Sequence, residues 1–237
     1  MANASRREHP ESPHHNLTTQ RLILRPLRPR HAPELFDAVD SSRRTLRRWL
    51  PFVDSTRGVE DISGFIRRTS RSPAHRVWGV WERRDAGSGR RPRIGLYCGT
   101  LGLHGVSREQ ASATMGYWIH SSREGRGYAT EAAAAALLWG FGPLGLERLS
   151  IQAASGNRAS LRVIDKLGFV REGLWREAQR IPGRRLRVDW VAFGMTRGDL
   201  RHARARLVEL CGETRPWEPA RTSERAPGVR FADRSRS

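Results

Sequence analysis

Lysine is almost missing from this 237-residue chain, in which lysine and arginine together number 43 and Lys166 alone is a lysine. The cation is therefore nearly always a guanidinium, which stays charged at any pH a cell meets. Cysteine is nearly as scarce. Cys98 and Cys211 stand far apart and in no ligand-like spacing, so neither a disulfide framework nor a zinc site is indicated. Cys98 reads as a small buried strand residue and Cys211 as a thiol near the tail. The longest apolar run, around Ala132 to Phe141, is too short to span a bilayer. The stretch from Met1 to Pro10 lacks the apolar core of a signal peptide, which leaves the cytoplasm as the expected location and no membrane partner. There is no internal repeat and no aromatic-studded RNA-binding signature.

What is abundant is positive charge. Against 43 basic residues stand 24 acidic ones, a net charge of +19. Such a protein attracts polyanions, so association with the ribosome or RNA through a basic surface is expected, with nucleic acid a neighbour and not a substrate. The length suits one domain with tails. Residues 1–16 and 212–237 are polar and rich in Arg, Pro, Glu and Ser, and are expected to be disordered. Residues 17–211 remain for the domain.

Within that domain strand and helix patterns are mixed. Strands are expected at Leu22–Leu27, Arg76–Glu82, Ile94–Leu103, Ala111–His120, Leu149–Ala153, Phe169–Gln179 and Leu186–Thr196. Glycine-bearing hairpin tips are expected at Asp85–Arg90 and around Pro182-Gly183. Helical patterns cover His31–Val39, Arg43–Leu50 and Val59–Thr69, with a short helix at Asp199–Leu210. Trp78, Trp81, Trp118, Trp139 and Trp190 fall on these elements and read as core. His31 and His75 read as surface or core histidines, while His104 and His120 lie at strand ends near the site as candidate proton carriers.

The most informative stretch is Glu124-Gly125-Arg126-Gly127-Tyr128-Ala129-Thr130-Glu131, which runs straight into Ala132-Ala133-Ala134-Ala135-Ala136-Leu137-Leu138-Trp139. A strand, a glycine loop and a helix N-terminus make an anion site, because backbone N–H groups converge there and the helix dipole adds positive charge. Glycine is needed because a Cβ would block close approach of phosphate oxygens. The loop is neither a Walker loop nor a dinucleotide fingerprint. A second segment, Gly156-Asn157-Arg158-Ala159-Ser160, opens another helix, with Asn157 as its N-cap and Gly168 at its end. Leu161, Ile164 and Leu167 share one face of that helix.

These two segments, with Lys166-Leu167-Gly168-Phe169, resemble the GNAT N-acetyltransferase superfamily. Thr19-Gln20-Arg21-Leu22-Ile23-Leu24-Arg25-Pro26-Leu27 and Arg48-Trp49-Leu50-Pro51 resemble its RimJ/RimL branch, the ribosomal-protein N-terminal acetyltransferases. The resemblance covers about residues 17 to 200. It implies an α/β fold of the α+β type: one GNAT-like domain with a central mixed, mostly antiparallel twisted sheet flanked by helices. It implies acetyl-CoA as cosubstrate, bound by Trp118, Ile119, His120, Gly125, Arg126, Gly127, Tyr128, Ala129, Thr130, Asn157 and Ser160. By the same resemblance Ser160 protonates the departing thiolate, backbone N–H groups around Tyr117 to His120 meet the oxyanion, and Trp49 and Tyr117 line the acceptor groove. One departure is Glu124, where the superfamily carries Gln or Arg.

The branch's general base is a glutamate on the strand after the Asn157 helix. The best alignment puts Gln179 there, and Gln179 cannot take a proton. Strand alternation would keep Trp175, Glu177 and Gln179 on one face, so Glu177 is the candidate catalytic base. An α-amine titrates near ~8 against ~10.4 for a lysine side chain. At neutral pH a tenth or so of the α-amine is already neutral, against roughly one lysine amine in 2,500. A site without a strong base thus suits an N-terminus. Three readings stay open: a protein N-terminal acetyltransferase, an acetyltransferase for a small amine or antibiotic, and a non-enzymatic acetyl-CoA- or ribosome-binding module.

Overall fold

A computed structural model describes residues 16–84, 92–180, 187–212 and 215–216. Both expected tails and the two expected hairpin tips therefore lie largely or wholly outside the described residues.

The chain runs β1 (Leu17–Thr18), β2 (Leu22–Pro26), α1 (Ala32–Ser41), α2 (Arg43–Leu46), α3 (Phe52–Ser55) and α4 (Val59–Arg71). It continues through β3 (His75–Arg84), β4 (Arg93–Ser107), β5 (Ser112–Ile119), α5 (Tyr128–Phe141), β6 (Arg148–Ala154) and α6 (Arg158–Leu167). It closes with β7 (Val170–Arg180), β8 (Arg187–Thr196), α7 (Arg197–Cys211) and β9 (Arg215–Pro216). The strands form one sheet in the order β7-β8-β6-β5-β4-β3-β2-β1-β9. Every neighbouring pair is antiparallel except β5 and β6. This is the mixed, mostly antiparallel α+β sheet that the resemblance implies.

The sheet separates two cores. On β3, Trp78 and Val80 face the core under α5, α6 and α7, while Val77 and Trp81 face the core under α1 and α4. That is the two-residue period of a strand buried on both faces. Trp78 is fully buried and meets Trp139 edge to face, with ring centroids 5.2 Å apart. Trp118 and Trp190 are only half-buried. Cys98 and Cys211 are both fully buried. Helix α5 is buried nearly all round, Ala132 to Leu137 at 1% exposure or less. Its run of methyl-sized side chains lets the helix lie close on the sheet.

The local expectations differ from the structure in four places, each for a physical reason. Helix α2 stops at Leu46: the Leu50 N–H still bonds the Leu46 carbonyl at 2.9 Å, but Pro51 has no N–H to carry the ladder on to Arg47. A further helical turn, α3, follows that proline. The last helix is not short: Thr196 and Asp199 form a reciprocal capping box, which starts α7 two residues early, and it runs 15 residues. The fourth difference bears on the site. Alternation along β7 does not hold between Trp175 and Gln179, because Trp175 pairs Trp190 and Gln179 pairs Val188. Three β7 residues face the single residue Asp189 there. Trp175, Glu177 and Gln179 therefore do not share one regular strand face.

Candidate active site

The β5–β6 seam creates the site. The two strands pair only from Ser112 with Arg148 to Met115 with Ile151. Beyond that, Gly116 to Ile119 stay with β4 and Gln152 to Ala154 stay with β8, so a wedge opens between them. The His120 N–H donates to the Cys98 carbonyl at 2.8 Å, which makes that pair a hydrogen-bonded one in the β4–β5 ladder. By alternation the Trp118 N–H also points at β4, while those of Tyr117 and Ile119 point into the wedge. The backbone donors available there are thus Tyr117 and Ile119, two of the residues expected from sequence. Gly99 makes this approach possible, since a Cβ on it would lie 2.1 Å from the Trp118 carbonyl oxygen.

Past β5, His120 caps a helical turn at Ser121–Arg123. Its Nδ1 accepts the Ser122 N–H at 3.1 Å, and its Nε2 lies 3.0 Å from Ser41 Oγ. Accepting a backbone N–H at Nδ1 puts the ring proton on Nε2, which donates to Ser41. Burial and then Arg123 lower the His120 pKa, which favours the neutral ring that caps this turn. His104 is likewise occupied, with its Nδ1 3.1 Å from that of His75.

The glycine loop has the expected form. Gly125 and Gly127 take φ of 76° and 80°, a left-handed conformation that L side chains rarely adopt. The Glu131 N–H makes the first α5 bond, to the Gly127 carbonyl at 3.0 Å. The N–H groups of Tyr128, Ala129 and Thr130 precede it and have no intrahelical acceptor, and Gly127 has no side chain to cap them. Three open donors at a 14-residue helix's positive end fit an oxygen-rich anion such as a pyrophosphate. Arg123 and Arg126 both lean on Glu82, at 3.4 and 4.0 Å, and the Tyr128 hydroxyl donates to the same carboxylate at 3.2 Å. Glu124 is exposed, consistent with a side chain that leaves binding to the backbone.

At the wedge mouth Asn157 Oδ1 accepts the Ser160 N–H at 3.1 Å, the expected N-cap, and Gly168 ends α6 with φ 84°. Ser160 Oγ lies 3.0 Å from the Tyr117 hydroxyl, joining α6 to β5 across the opening. Burial pushes the Tyr117 phenol up to about 12, with the Ser160 hydrogen bond opposing part of that rise. Tyr117 is therefore a neutral hydroxyl throughout the working range. The Trp49 ring rests on Gly156, whose Cβ would be 3.6 Å from it, next to the Asn157 cap.

The acceptor side departs from sequence expectation. Glu177 has φ 51° and its N–H donates to Asp189 Oδ1 at 2.8 Å. Its carbonyl accepts from Arg187. Among the described residues no hydrogen bond links the Glu177 carboxylate to Ser160 or Tyr117. Arg176, Glu177 and Asp189 line an open pocket of about 500 Å³. Asp189 also reaches the other side of the site, because its carbonyl accepts the Ser155 N–H at 2.9 Å. Gln179 has a buried Nε2 with no partner among the described residues. Asp189 carried no sequence signal, since its placement depends on a two-residue excess in the facing strand.

The GNAT acetyltransferase domain family matches residues 21–170. With the splayed seam and the glycine loop, this defines the class: the chain belongs to the GNAT acetyltransferase family, and it is an N-acetyltransferase. It is 28% identical over 164 residues to the Bacillus subtilis protein YdaF, provisionally named a ribosomal N-acetyltransferase, across 69% of this chain and 86% of that one. Among solved structures it is similar to Mycobacterium smegmatis RimJ in complex with CoA-disulfide, with TM-score 0.68 and 24% identity over 82% of this chain and 91% of that one. It is similar also to RimL, the ribosomal L7/L12 α-N-protein acetyltransferase, in complex with coenzyme A. There the TM-score is 0.67 and the identity 18%, over 76% of this chain and 96% of that one.

Proposed function

We propose that this chain transfers the acetyl group of acetyl-CoA to the α-amine of a protein N-terminus, with a ribosomal protein as one candidate acceptor. The observation that carries this reading is the Ser160–Tyr117 hydroxyl pair at the mouth of a wedge with no strong base bonded to it. In this scheme the pyrophosphate lies on the Gly125–Gly127 loop and the N–H groups of Tyr128, Ala129 and Thr130. The neutral amine nitrogen attacks the thioester carbonyl carbon. The carbonyl oxygen takes negative charge and is met by the wedge-facing N–H groups of β5. The C–S bond then breaks, and the thiolate takes the Ser160 proton, which Tyr117 or water replaces. The amine's proton leaves to water or to the Glu177–Asp189 pocket, and Trp49 lines the acceptor path beside Gly156.

Two relatives also support the acceptor class. YdaF is provisionally named a ribosomal N-acetyltransferase and RimL a ribosomal L7/L12 α-N-protein acetyltransferase, and the α-amine needs the least help from a base. Among the described residues no helix is long and apolar enough to cross a membrane. A small cationic amine is the second reading, favoured by the two carboxylates of the Glu177–Asp189 pocket. Coenzyme A release measured against peptides with free N-termini, the same peptides N-blocked but carrying lysine, and a panel of amines and antibiotics separates them. Turnover confined to free N-termini is expected. Turnover confined to a small amine would overturn the assignment.

A further inference from the structure

Thr19 and Arg21 enter the sequence argument only through a family resemblance, and in the structure they converge on one buried carboxylate. Glu131, 2% exposed in the first turn of α5, accepts the Thr19 hydroxyl at 2.6 Å and the Arg21 N–H at 2.8 Å. Its other oxygen takes the Arg21 guanidinium through Nε at 2.7 Å and Nη2 at 2.6 Å. The remaining nitrogen, Nη1, donates to the carbonyl of Arg126 at 3.0 Å, and the guanidinium carbon sits 5.1 Å over the Tyr128 ring. One side chain thus holds the loop's central peptide, the first helical residue and the acid beneath them.

Two consequences follow from elementary geometry and charge. A trans peptide is planar, with its C=O and N–H on opposite sides. Drawing the Arg126 carbonyl towards Arg21 therefore turns the Gly127 N–H away from it, out of the loop on the side open to an anion. Secondly, a bare carboxylate in the first turn of α5 would place negative charge where a pyrophosphate has to arrive. Arg21 cancels that charge without occupying the helix N–H groups.

We propose that Arg21 is the positioning residue of the Gly125–Gly127 loop, orienting the Gly127 N–H towards the coenzyme's pyrophosphate and neutralising Glu131 below it. This rests on the loop being the pyrophosphate site. Arg126, the loop's own arginine, is not needed for it, since that side chain points to Glu82.

The test measures coenzyme A affinity by calorimetry alongside Tm for Arg21→Lys, Arg21→Met, Arg21→Met combined with Glu131→Gln, and Gly127→Val. The double variant guards against misfolding, because it removes the buried charge that Arg21→Met leaves unpaired. Lysine can neutralise Glu131 but cannot also hold the Arg126 carbonyl. Arg21→Lys should therefore restore most of the Tm while coenzyme A binds about 10- to 100-fold more weakly, the loss of a charge-assisted contact and its oriented partner. The double variant should fold and show a similar loss. Arg21→Lys with full affinity would reduce the role to charge alone and overturn positioning. Folded Arg21 variants with parental affinity, beside a Gly127→Val protein that has lost it, would overturn the proposal and leave the loop assignment standing. Parental affinity in Gly127→Val would remove the loop assignment itself.

Discussion

Replacing Ser160 and Tyr117 singly and together asks whether two hydroxyls 3.0 Å apart act as one. Ser160→Ala removes the proposed donor to the departing thiolate, worth about 10²-fold in kcat for a single general-acid contact. Among the described residues the Tyr117 hydroxyl bonds only Ser160, its Oγ at 3.0 Å and its carbonyl at 3.5 Å. Tyr117→Phe keeps the ring that packs against the larger core and removes one neutral hydrogen bond, about 1 kcal/mol or roughly fivefold. If Tyr117 acts through Ser160, the double variant loses no more activity than Ser160→Ala. Independent actions would multiply to roughly 500-fold. Stability should run differently. Ser160→Ala leaves the half-buried phenol only the long contact to the residue-160 carbonyl, a cost of about 1 kcal/mol, and Phe at 117 relieves that cost, so the double variant should melt above the Ser160→Ala protein. Thiol release followed from pH 6 to 10 gives the third readout. With Tyr117 pushed up to about 12, no basic limb in that range belongs to it. Multiplicative rates, or a limb near pH 9 that vanishes in Tyr117→Phe, would refute the coupled pair.

Other expectations concern the frame around the site. Gly99→Ala should destabilise the fold by more than about 2 kcal/mol, because its Cβ would overlap the Trp118 carbonyl oxygen, and an unchanged Tm would contradict that strand packing. Trp78→Ala empties the meeting point of β3 and α5 and should cost about 3–5 kcal/mol in urea unfolding. His31 has its pKa lowered to about 4 by burial and then by Arg30, Arg25 and Arg28. The unfolded ring binds a proton near 6.5 while the folded ring does not, so stability falls as pH drops from about 6.5 to about 4. One such proton gives at most about 1.4 kcal/mol per pH unit. Above pH 7 His31 contributes no slope. His31→Gln should flatten that part of the stability curve, and an unchanged slope would place the titration elsewhere.

The elements whose signals are local could be read from the chain. Asn157 and Gly168 bracket α6 by cap chemistry alone, and Gly125 and Gly127 announce a left-handed loop before an alanine-rich helix. What escaped reading depends on pairing between distant strands. Nothing in Trp175-Arg176-Glu177-Ala178-Gln179 says that three of its residues will face Asp189, since a bulge is a property of two strands together. Nor does any local pattern reveal where β5 and β6 part, although that parting decides which backbone N–H groups are free. His104 and His120 looked available because a strand end is usually wet; His75, Ser41 and Ser122 claim them. Glu131 was visible as an acid at the start of an apolar helix, yet its partner lies 110 residues away.

Helix α5 has one more consequence, thermodynamic in kind. A helix buried nearly all round behind its own methyl-sized side chains has little freedom to slide or roll. Its N-terminus, and the loop tied to it through Arg21, is therefore a fixed point of the molecule. An anion that docks there has little protein disorder to quench. Its binding should carry a small heat-capacity change for the protein's own ordering, and any adjustment on acceptor arrival falls to the half-exposed aromatics and the bulged edge of β7.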